Sequence, residues 1–193
     1  MSGQAWIEGR ESYSKQSYRN RACILTGNGV QTLSIPVAHE THNPAVTDVR
    51  IDYDTPWQRV HWRAIRTAYN SSPFFLYYQD AIRPFYEQRF ETLLDYNLKL
   101  TRTLLALLRV HVTLHLTDNY ATGVDPDLRA LIHPKRSRRP DYRFKSTLPY
   151  YQVFGDRFGF TPNLSVIDLI FNTGPEAAGH LRRLRQSFNP QAS

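Results

Sequence analysis

Two arginines and a lysine stand just before an apolar hairpin near the start of the chain. In the segment YSKQSYRNRACILTGNGV they are Lys15, Arg19 and Arg21. If residues 17–26 are extended, Arg19 and Arg21 project from one face about 7 Å apart, because alternate side chains of a strand share a face. Planar guanidinium groups at this spacing suit a phosphate or a carboxylate, and Lys15 adds a point charge. The alternative is a strand that ends at the rim of the protein, where arginine stems cover apolar surface.

A polar stripe runs along an otherwise apolar helix that the sequence predicts within 163–172. At about 100° per residue, Ser165, Asp168 and Asn172 fall in one narrow arc, and the remaining circumference is apolar. A helix with so wide an apolar arc is buried, so its polar groups need partners. Two interpretations stay open. Ser165 and Asp168 form a capping box or join a hydrogen-bond network in the core, or the stripe faces a ligand.

A histidine lies in a helical segment, PWQRVHWRAIRTAY, four residues after a tryptophan. His61 and Trp57 share a helix face with two alanines. A histidine on an apolar face is more often a core residue than a catalyst, but its imidazole could serve as a general base near neutral pH. Asp168 could hold such an imidazole in its productive tautomer.

The other histidines do not predict a metal site. His111 and His115 share a strand face without a third ligand at a recognisable spacing. His39 and His42, in HETHN, lack the glutamate position and the helical setting of a zincin. The sequence has no Walker loop, no GxSxG elbow and no GxGxxG. We therefore predict neither a metal nor a cofactor.

The early chain is predicted to be β-rich. Gly27-Asn28-Gly29 between two apolar runs predicts a hairpin with strands at 22–26 and 30–37. A third strand is predicted at 46–53, where apolar and charged residues alternate.

The later chain is predicted to be mainly helical. Asp54 or Thr55 would cap a helix that ends near Tyr69, and Ser72-Pro73 would start a short helix that Pro84 interrupts. The remaining predictions are a helix at 84–109, a strand at 110–117, and helices at 163–172 and 176–185. The fold class is therefore mixed α/β (α+β), with an early β-hairpin and strands packed against several later helices in one domain of residues 1–193.

The positive charge of the chain is local. The net charge is +7, of which 133–145 contributes +5 and three arginines within 182–185 contribute +3, so the remainder carries −1. The sequence predicts a basic flexible loop at 134–147 and a tail at 186–193. Such a loop is weak support for sequence-specific binding of nucleic acid, which makes a nucleic-acid partner an unfavoured prediction.

Cysteine content and hydropathy favour a cytoplasmic protein. The single cysteine, Cys23, cannot form an internal disulfide, and its apolar context predicts a buried, reduced thiol. No run approaches the roughly 18 apolar residues of a membrane span, and the N-terminus lacks the apolar region of a signal peptide. We therefore predict no membrane span.

Four segments, taken in order from about residue 8 to residue 180, closely resemble the WbqC-like protein family. They are YSKQSYRNRACILTGNGVQTLSIPV, VRIDYDTPWQRVHWRAIRTAYNSSPFFLYY, FYEQRFETLLDYNLKLT and PYYQVFGDRFGFTPNLSVIDLIFNTGP. The resemblance implies a bacterial cytosolic protein of a family associated with O-antigen and other surface-polysaccharide gene clusters. It also implies a transferase that places a glycyl, other aminoacyl or acyl group on a sugar. The resemblance implies an N-terminal strand and a Tyr-Pro-rich segment before the part that matches Trp6, and this sequence shows no such segment. Either the start has been lost or wrongly chosen, or this member does without it. If that segment supplies a central strand, its loss would leave an exposed sheet edge and reduce activity.

The residues and the resemblance together predict a group transferase that acts on a nucleotide-linked or lipid-linked sugar. His61 would be the base, and Asp168 would orient the acceptor or the imidazole. The predicted substrate-binding residues are Lys15, Tyr18, Arg19, Asn20, Arg21, Trp57, Tyr150, Tyr151, Asn163, Ser165 and Asn172. Two alternatives remain: a non-catalytic nucleotide- or RNA-binding protein that uses the basic loop, and a scaffold subunit of a polysaccharide-synthesis complex. The partner would be a small phosphorylated or sugar substrate, and the oligomeric state is not predicted.

Overall fold

The protein is represented by a computed structural model, which describes residues 2–38, 44–124, 126–129, 132, 134 and 148–188. His39, His42 and nearly all of the predicted basic loop lie outside the described residues. The strands are β1 (Ser2–Ile7), β2 (Arg21–Thr26), β3 (Gly29–Ser34) and β4 (His111–Leu116). The helices are α1 (Trp57–Tyr69), α2 (Phe75–Ile82), α3 (Leu93–Leu107), α4 (Gly155–Phe158), α5 (Val166–Thr173) and α6 (Ala177–Phe188), with 3₁₀ turns at Val46–Asp48, Arg83–Tyr86 and Gly174–Glu176.

The described strands form two separate two-stranded sheets. β1 and β4 are parallel, in register from Ser2 opposite His111 to Ile7 opposite Leu116. β2 and β3 are antiparallel and form the predicted hairpin. Its turn requires a glycine, since Gly29 has φ of 100°, a region that other residues rarely adopt. The hairpin prediction is confirmed, and so is the mixed α/β fold class.

The predicted third strand at 46–53 is wrong. The segment begins with a 3₁₀ turn and then makes only two isolated bridges, Arg50 with Thr92 and Val37 with Ile51. The alternation behind the prediction is real, because Val49 and Ile51 are buried and Arg50 is exposed. An extended segment that buries alternate side chains gives the same sequence period as a strand, but here each neighbouring backbone pairs with it at a single bridge, Val37 with Ile51 and Thr92 with Arg50.

Two predicted helix starts need correction. No side chain caps α1, which has Pro56 at the N-cap position, so the predicted cap by Asp54 or Thr55 is wrong. The third helix does not begin at Pro84. It begins at Leu93, because Thr92 caps it there by accepting a hydrogen bond from the backbone N–H of Asp95 at 3.2 Å.

The core consists of two clusters that meet along α1. In one cluster, Ile65 of α1 packs with Ile24 of the hairpin and Phe171 of α5. In the other, Trp57 packs with Tyr96 of α3 and the residues around Val49. His61 lies one turn after Trp57 and one turn before Ile65, so α1 carries this histidine to the boundary between the clusters.

The structure also bears on the burial of Cys23 and on membrane-spanning helices. Cys23 is a free thiol in β2 and is half-buried, so the predicted full burial is wrong. Within the described ranges, no helix is both long enough and apolar enough to cross a membrane.

Candidate functional site

Six of the predicted site residues line one cleft beside the root of the β2–β3 hairpin. The cleft has a volume of about 150 Å³, and α1, α3 and the start of α5 supply its other walls. We call it the hairpin cleft; its predicted residues are Tyr18, Arg19, Asn20, Arg21, His61 and Ser165. The structure therefore brings the cationic segment, the histidine and the first residue of the polar stripe together.

The two arginines of the hairpin cleft differ in their partners. Arg19 lies in a turn, since β2 begins only at Arg21, and the predicted extension of 17–26 is wrong over its first four residues. The guanidinium of Arg19 binds the carboxylate of Glu11, with 2.8 Å between Nε and Oε1 and a second contact through its terminal nitrogen. Its charge is therefore already compensated by Glu11, and only Arg21 is left with a buried donor to offer.

Arg21 and its neighbour Asn20 each bury a polar atom without a partner among the described residues. These atoms are Nε of Arg21 and Oδ1 of Asn20. The amide nitrogen of Asn20 is used, because it donates to the carbonyl of Ile35 at 3.0 Å. An unpaired buried polar atom costs about 1–3 kcal/mol, so this pair is a ready donor and acceptor for a ligand.

His61 is a neutral imidazole in the wall of the hairpin cleft. Its side chain is almost fully buried, and Trp57 contacts it edge-on with 5.2 Å between ring centroids. Burial lowers the pKa of His61 to about 4, and a hydrogen bond to the backbone of Ser34 opposes this shift. The ring is therefore unprotonated near pH 7 and can accept a proton.

A tyrosine pair in the same cleft was missed by sequence reasoning. The hydroxyls of Tyr86 and Tyr96 are hydrogen-bonded, and burial raises the pKa of Tyr86 to about 12 and that of Tyr96 well above its usual value. Asn97 joins them in the wall and donates to the carbonyl of Arg19 at 2.7 Å. The sequence signal for this pair was an adjacent tyrosine and asparagine, Tyr96 and Asn97, within the helix predicted at 84–109.

Asp168 lies in the core. Its side chain is 1% exposed, and its carboxylate accepts hydrogen bonds from Tyr69 (2.9 Å), Tyr150 (2.7 Å) and Gln152 (3.0 Å). Burial raises the pKa of Asp168, and these three hydrogen bonds oppose the shift. None of the hydrogen bonds described for this carboxylate goes to His61, so a catalytic role for Asp168 stays a prediction without a supporting contact.

Ser165 does not cap α5 with its side chain. It occupies the N-cap position, and its carbonyl, not its hydroxyl, accepts the backbone N–H of Asp168 at 2.9 Å. The capping-box interpretation is therefore wrong, and the hydrogen-bond network in the core is confirmed for Asp168.

The polar stripe of α5 divides among three places. Ser165 reaches the hairpin cleft, Asp168 is enclosed, and Asn172 lines a second cleft together with Tyr150 and Tyr151. We call this the α5–α6 cleft; its polar lining residues are Tyr150, Tyr151, Asn172, Thr173, Glu176, His180 and Arg183. The structure thus separates the predicted aromatic platforms from the predicted arginines.

The three other predicted site residues border the hairpin cleft. Lys15 and Trp57 line a depression that shares Asn20 and Arg21 with it. Asn163 donates to the hydroxyl of Tyr18 at 2.8 Å and so supports one edge of the cleft. In the part of the chain that the structure describes, no group of three or more His, Cys, Asp or Glu residues could hold a metal ion.

Comparison with known proteins identifies the family of this chain. A family model described as the WbqC-like protein family matches residues 2–139. This chain belongs to that family. The match includes Arg19, Asn20, Arg21 and His61, the main polar residues of the hairpin cleft, whereas α5 and the α5–α6 cleft lie beyond it.

The WbqC-like chain is also similar to a curated protein over nearly its whole length. The uncharacterized protein Rv1507c of Mycobacterium tuberculosis is 27% identical to it, over 90% of this chain and 85% of the relative. No solved structure matches the chain.

Proposed function

We propose that this WbqC-like protein is a transferase that moves an aminoacyl or acyl group onto a nucleotide-linked or lipid-linked sugar, with the hairpin cleft as its reaction site. One observation carries the proposal: an unpaired arginine donor, Arg21 Nε, and an unpaired acceptor, Asn20 Oδ1, are buried beside the neutral base His61. The resemblance to a family associated with O-antigen and surface-polysaccharide gene clusters supports a sugar as the acceptor.

Arg21 is the anion-binding residue in this proposal. Guanidinium donates to carboxylate or phosphate oxygens in a charge-assisted geometry, which is stronger than a neutral hydrogen bond. Arg19 supports it indirectly, because its ion pair with Glu11 fixes the turn before β2. The phosphate of an activated acyl donor, or the phosphate of the nucleotide-linked or lipid-linked acceptor, would bind Arg21. A free carboxylate is not a donor here, because its acyl carbon carries no leaving group.

The size of the hairpin cleft limits which part of the substrate it holds. Clefts that enclose a whole drug-sized ligand measure roughly 300–1,000 Å³, and this one measures about 150 Å³. It therefore accommodates the reacting end of a substrate, whereas the nucleotide or lipid carrier of the acceptor sugar would extend outside. The neighbouring depression, with Lys15 and Trp57, lies where such an extension would pass.

His61 would act as the general base of the transfer. Its unprotonated nitrogen takes the proton of the acceptor hydroxyl or amine, and the oxygen or nitrogen lone pair forms the new bond to the acyl carbon. The bond between that carbon and the leaving group then breaks, and the leaving group departs with the electron pair and takes the proton from the imidazolium. An anion bound at Arg21 would raise the pKa of His61 from about 4 and make it a better base.

The anion site is tested by calorimetric titration of the protein with inorganic phosphate, glycine and a nucleotide sugar. We expect at least one of them to bind, and Arg21→Gln to weaken that binding at least tenfold. The matched control is Arg59→Gln, since Arg59 is an exposed arginine on α1 and should not affect binding. Equal affinity in the Arg21→Gln variant and the wild type would remove the site assignment.

The chemistry is tested separately, by mass spectrometry of nucleotide sugars incubated with aminoacyl and acyl thioesters. We expect a sugar whose mass rises by one acyl group, and His61→Gln to slow its formation at least 100-fold while phosphate binding persists. Binding without any transfer would leave the alternative of a non-catalytic nucleotide-binding protein and would refute the transferase.

A further inference from the structure

The α5–α6 cleft is separate from the hairpin cleft, and the proposed transfer reaction does not use it. It lies at the C-terminal end of α5, about 10 Å along the helix from Ser165, at 1.5 Å per residue. Its volume is about 530 Å³, within the roughly 300–1,000 Å³ of ligand-binding clefts. It is therefore large enough to enclose a small ligand.

Two buried acceptors in its wall have no partner among the residues that the structure describes. Asn172 and His180 are each 4% exposed, and the unpaired atoms are Oδ1 and Nε2. The amide nitrogen of Asn172 already donates to the carbonyl of Asp168 at 2.8 Å, which fixes the amide with its oxygen unused. A ligand for these two atoms must bring hydrogen-bond donors.

His180 presents an acceptor because of its own hydrogen bond. Its ring bonds to the backbone of Leu148, and since Nε2 has no partner, this bond uses Nδ1. Burial and the charge of Arg183 lower the pKa of His180, which keeps the ring neutral. Nε2 therefore carries a lone pair and not a proton.

The aromatic side chains of Tyr150 and Tyr151 form another wall of the cleft, and a hydrogen bond holds Tyr150 in place. The hydroxyl of Tyr150 is fixed by Asp168, and its ring meets the ring of His180 edge-on with 5.2 Å between centroids. Tyr151 is 61% exposed and offers a ring face at the rim. Rigid rings beside unpaired acceptors suit a ligand that has an apolar face and hydroxyl edges.

We propose that the α5–α6 cleft binds an uncharged sugar ring, with two ring hydroxyls donating to Asn172 Oδ1 and His180 Nε2 and the C–H face lying against the tyrosines. The charges of the cleft support a neutral ligand, because one acidic residue, Glu176, and one basic residue, Arg183, line it. Arg183 disfavours an ammonium ligand, and the two acceptors disfavour an anion. This site rests on its own contacts and not on the transferase proposal.

The test is saturation-transfer NMR on the full chain with methyl α-D-glucopyranoside, methyl β-D-galactopyranoside and N-acetylglucosamine as probes. We expect at least one of them to bind, and His180→Phe and Asn172→Leu to weaken it at least fivefold. Phenylalanine keeps the edge contact with Tyr150 but removes the acceptor. Tyr151→Ala should also weaken binding and, since Tyr151 is exposed, it decides the test if the buried variants fail to fold.

Two control variants separate this site from the hairpin cleft. Arg21→Gln, and Trp6→Ala at an exposed ring of β1, should leave sugar binding unchanged. Loss of sugar binding in Arg21→Gln would overturn the proposal, because the sugar would then lie in the hairpin cleft. Failure of every probe to bind, binding that is equal in all variants, or displacement of the sugar by inorganic phosphate or methylammonium would overturn it as well.

Discussion

Two regions of this protein bury polar side chains in opposite ways. Around Asp168, both carboxylate oxygens have donors, and the three hydrogen bonds join α5 to α1 and to the segment before α4. At the hairpin root, Arg21 and Asn20 are half-buried, and each keeps one buried atom without a described partner beside a cleft. The comparison shows that burial of a polar residue does not by itself identify a site; at the hairpin root, buried polar atoms without a partner among the described residues coincide with a cleft.

The largest effect that tests this comparison is on stability. Asp168→Ala should lower the free energy of unfolding by about 4 kcal/mol, because it leaves the buried donors of Tyr69, Tyr150 and Gln152 without their shared acceptor. Tyr69→Phe, which removes the hydroxyl that bonds to Asp168 and to the backbone of Leu25, should cost about 1–2 kcal/mol. Urea unfolding measures both.

The matched control for Asp168→Ala is Asp156→Ala, at an exposed position of α4. It should change the free energy of unfolding by less than about 0.5 kcal/mol. A loss below about 1 kcal/mol for Asp168→Ala would show that the network is not the structural element we describe, and would reopen its prediction as a catalytic residue.

The second effect is a pH dependence of the free energy of unfolding, which we attribute to His61. In the unfolded chain its pKa is near 6.5, and in the folded protein it is about 4, so between these values the unfolded state binds more protons. The stability that the neutral ring contributes is therefore present above pH 6.5 and is lost as the pH falls toward 4. His61→Gln should remove this component, on the order of 2 kcal/mol, from the difference in unfolding free energy between pH 7 and pH 4.5.

The control for this measurement is His111→Gln, on an exposed position of β4. Its pH dependence should match that of the wild type. If the curve of His61→Gln runs parallel to the wild-type curve instead, His61 is open to solvent and is not the neutral residue of the cleft wall.

Much of the fold follows from local sequence signals. The Gly27–Gly29 turn predicts the hairpin, and the 3.6-residue period predicts α5, because these signals depend on neighbours in the chain. The predicted strand at 46–53 is wrong because period-two burial specifies an extended backbone but not a pairing partner. The start of α3 was predicted too early, because the threonine cap at Thr92 sets the first turn of the helix.

The candidate site is predictable only in part, for a related reason. Helical periodicity places Ser165, Asp168 and Asn172 on one arc of α5. It does not predict which part of the protein faces each turn of the helix. The structure puts a cleft, a closed network and a second cleft there in turn. The ion pair between Arg19 and Glu11 was not predicted either. It depends on the shape of the turn between them, which the local sequence pattern does not specify.

The smallest stability effect is expected at Arg21, the anion-binding residue of our proposal. Arg21→Met should change the free energy of unfolding by less than about 1 kcal/mol, because methionine retains the apolar stem and removes a buried donor that has no partner among the described residues. Urea unfolding of Arg21→Met and Asp168→Ala side by side gives the contrast directly. A loss of 3 kcal/mol or more in Arg21→Met would mean that the fold itself satisfies this guanidinium. The unfilled donor would then no longer distinguish the hairpin cleft from the Asp168 network.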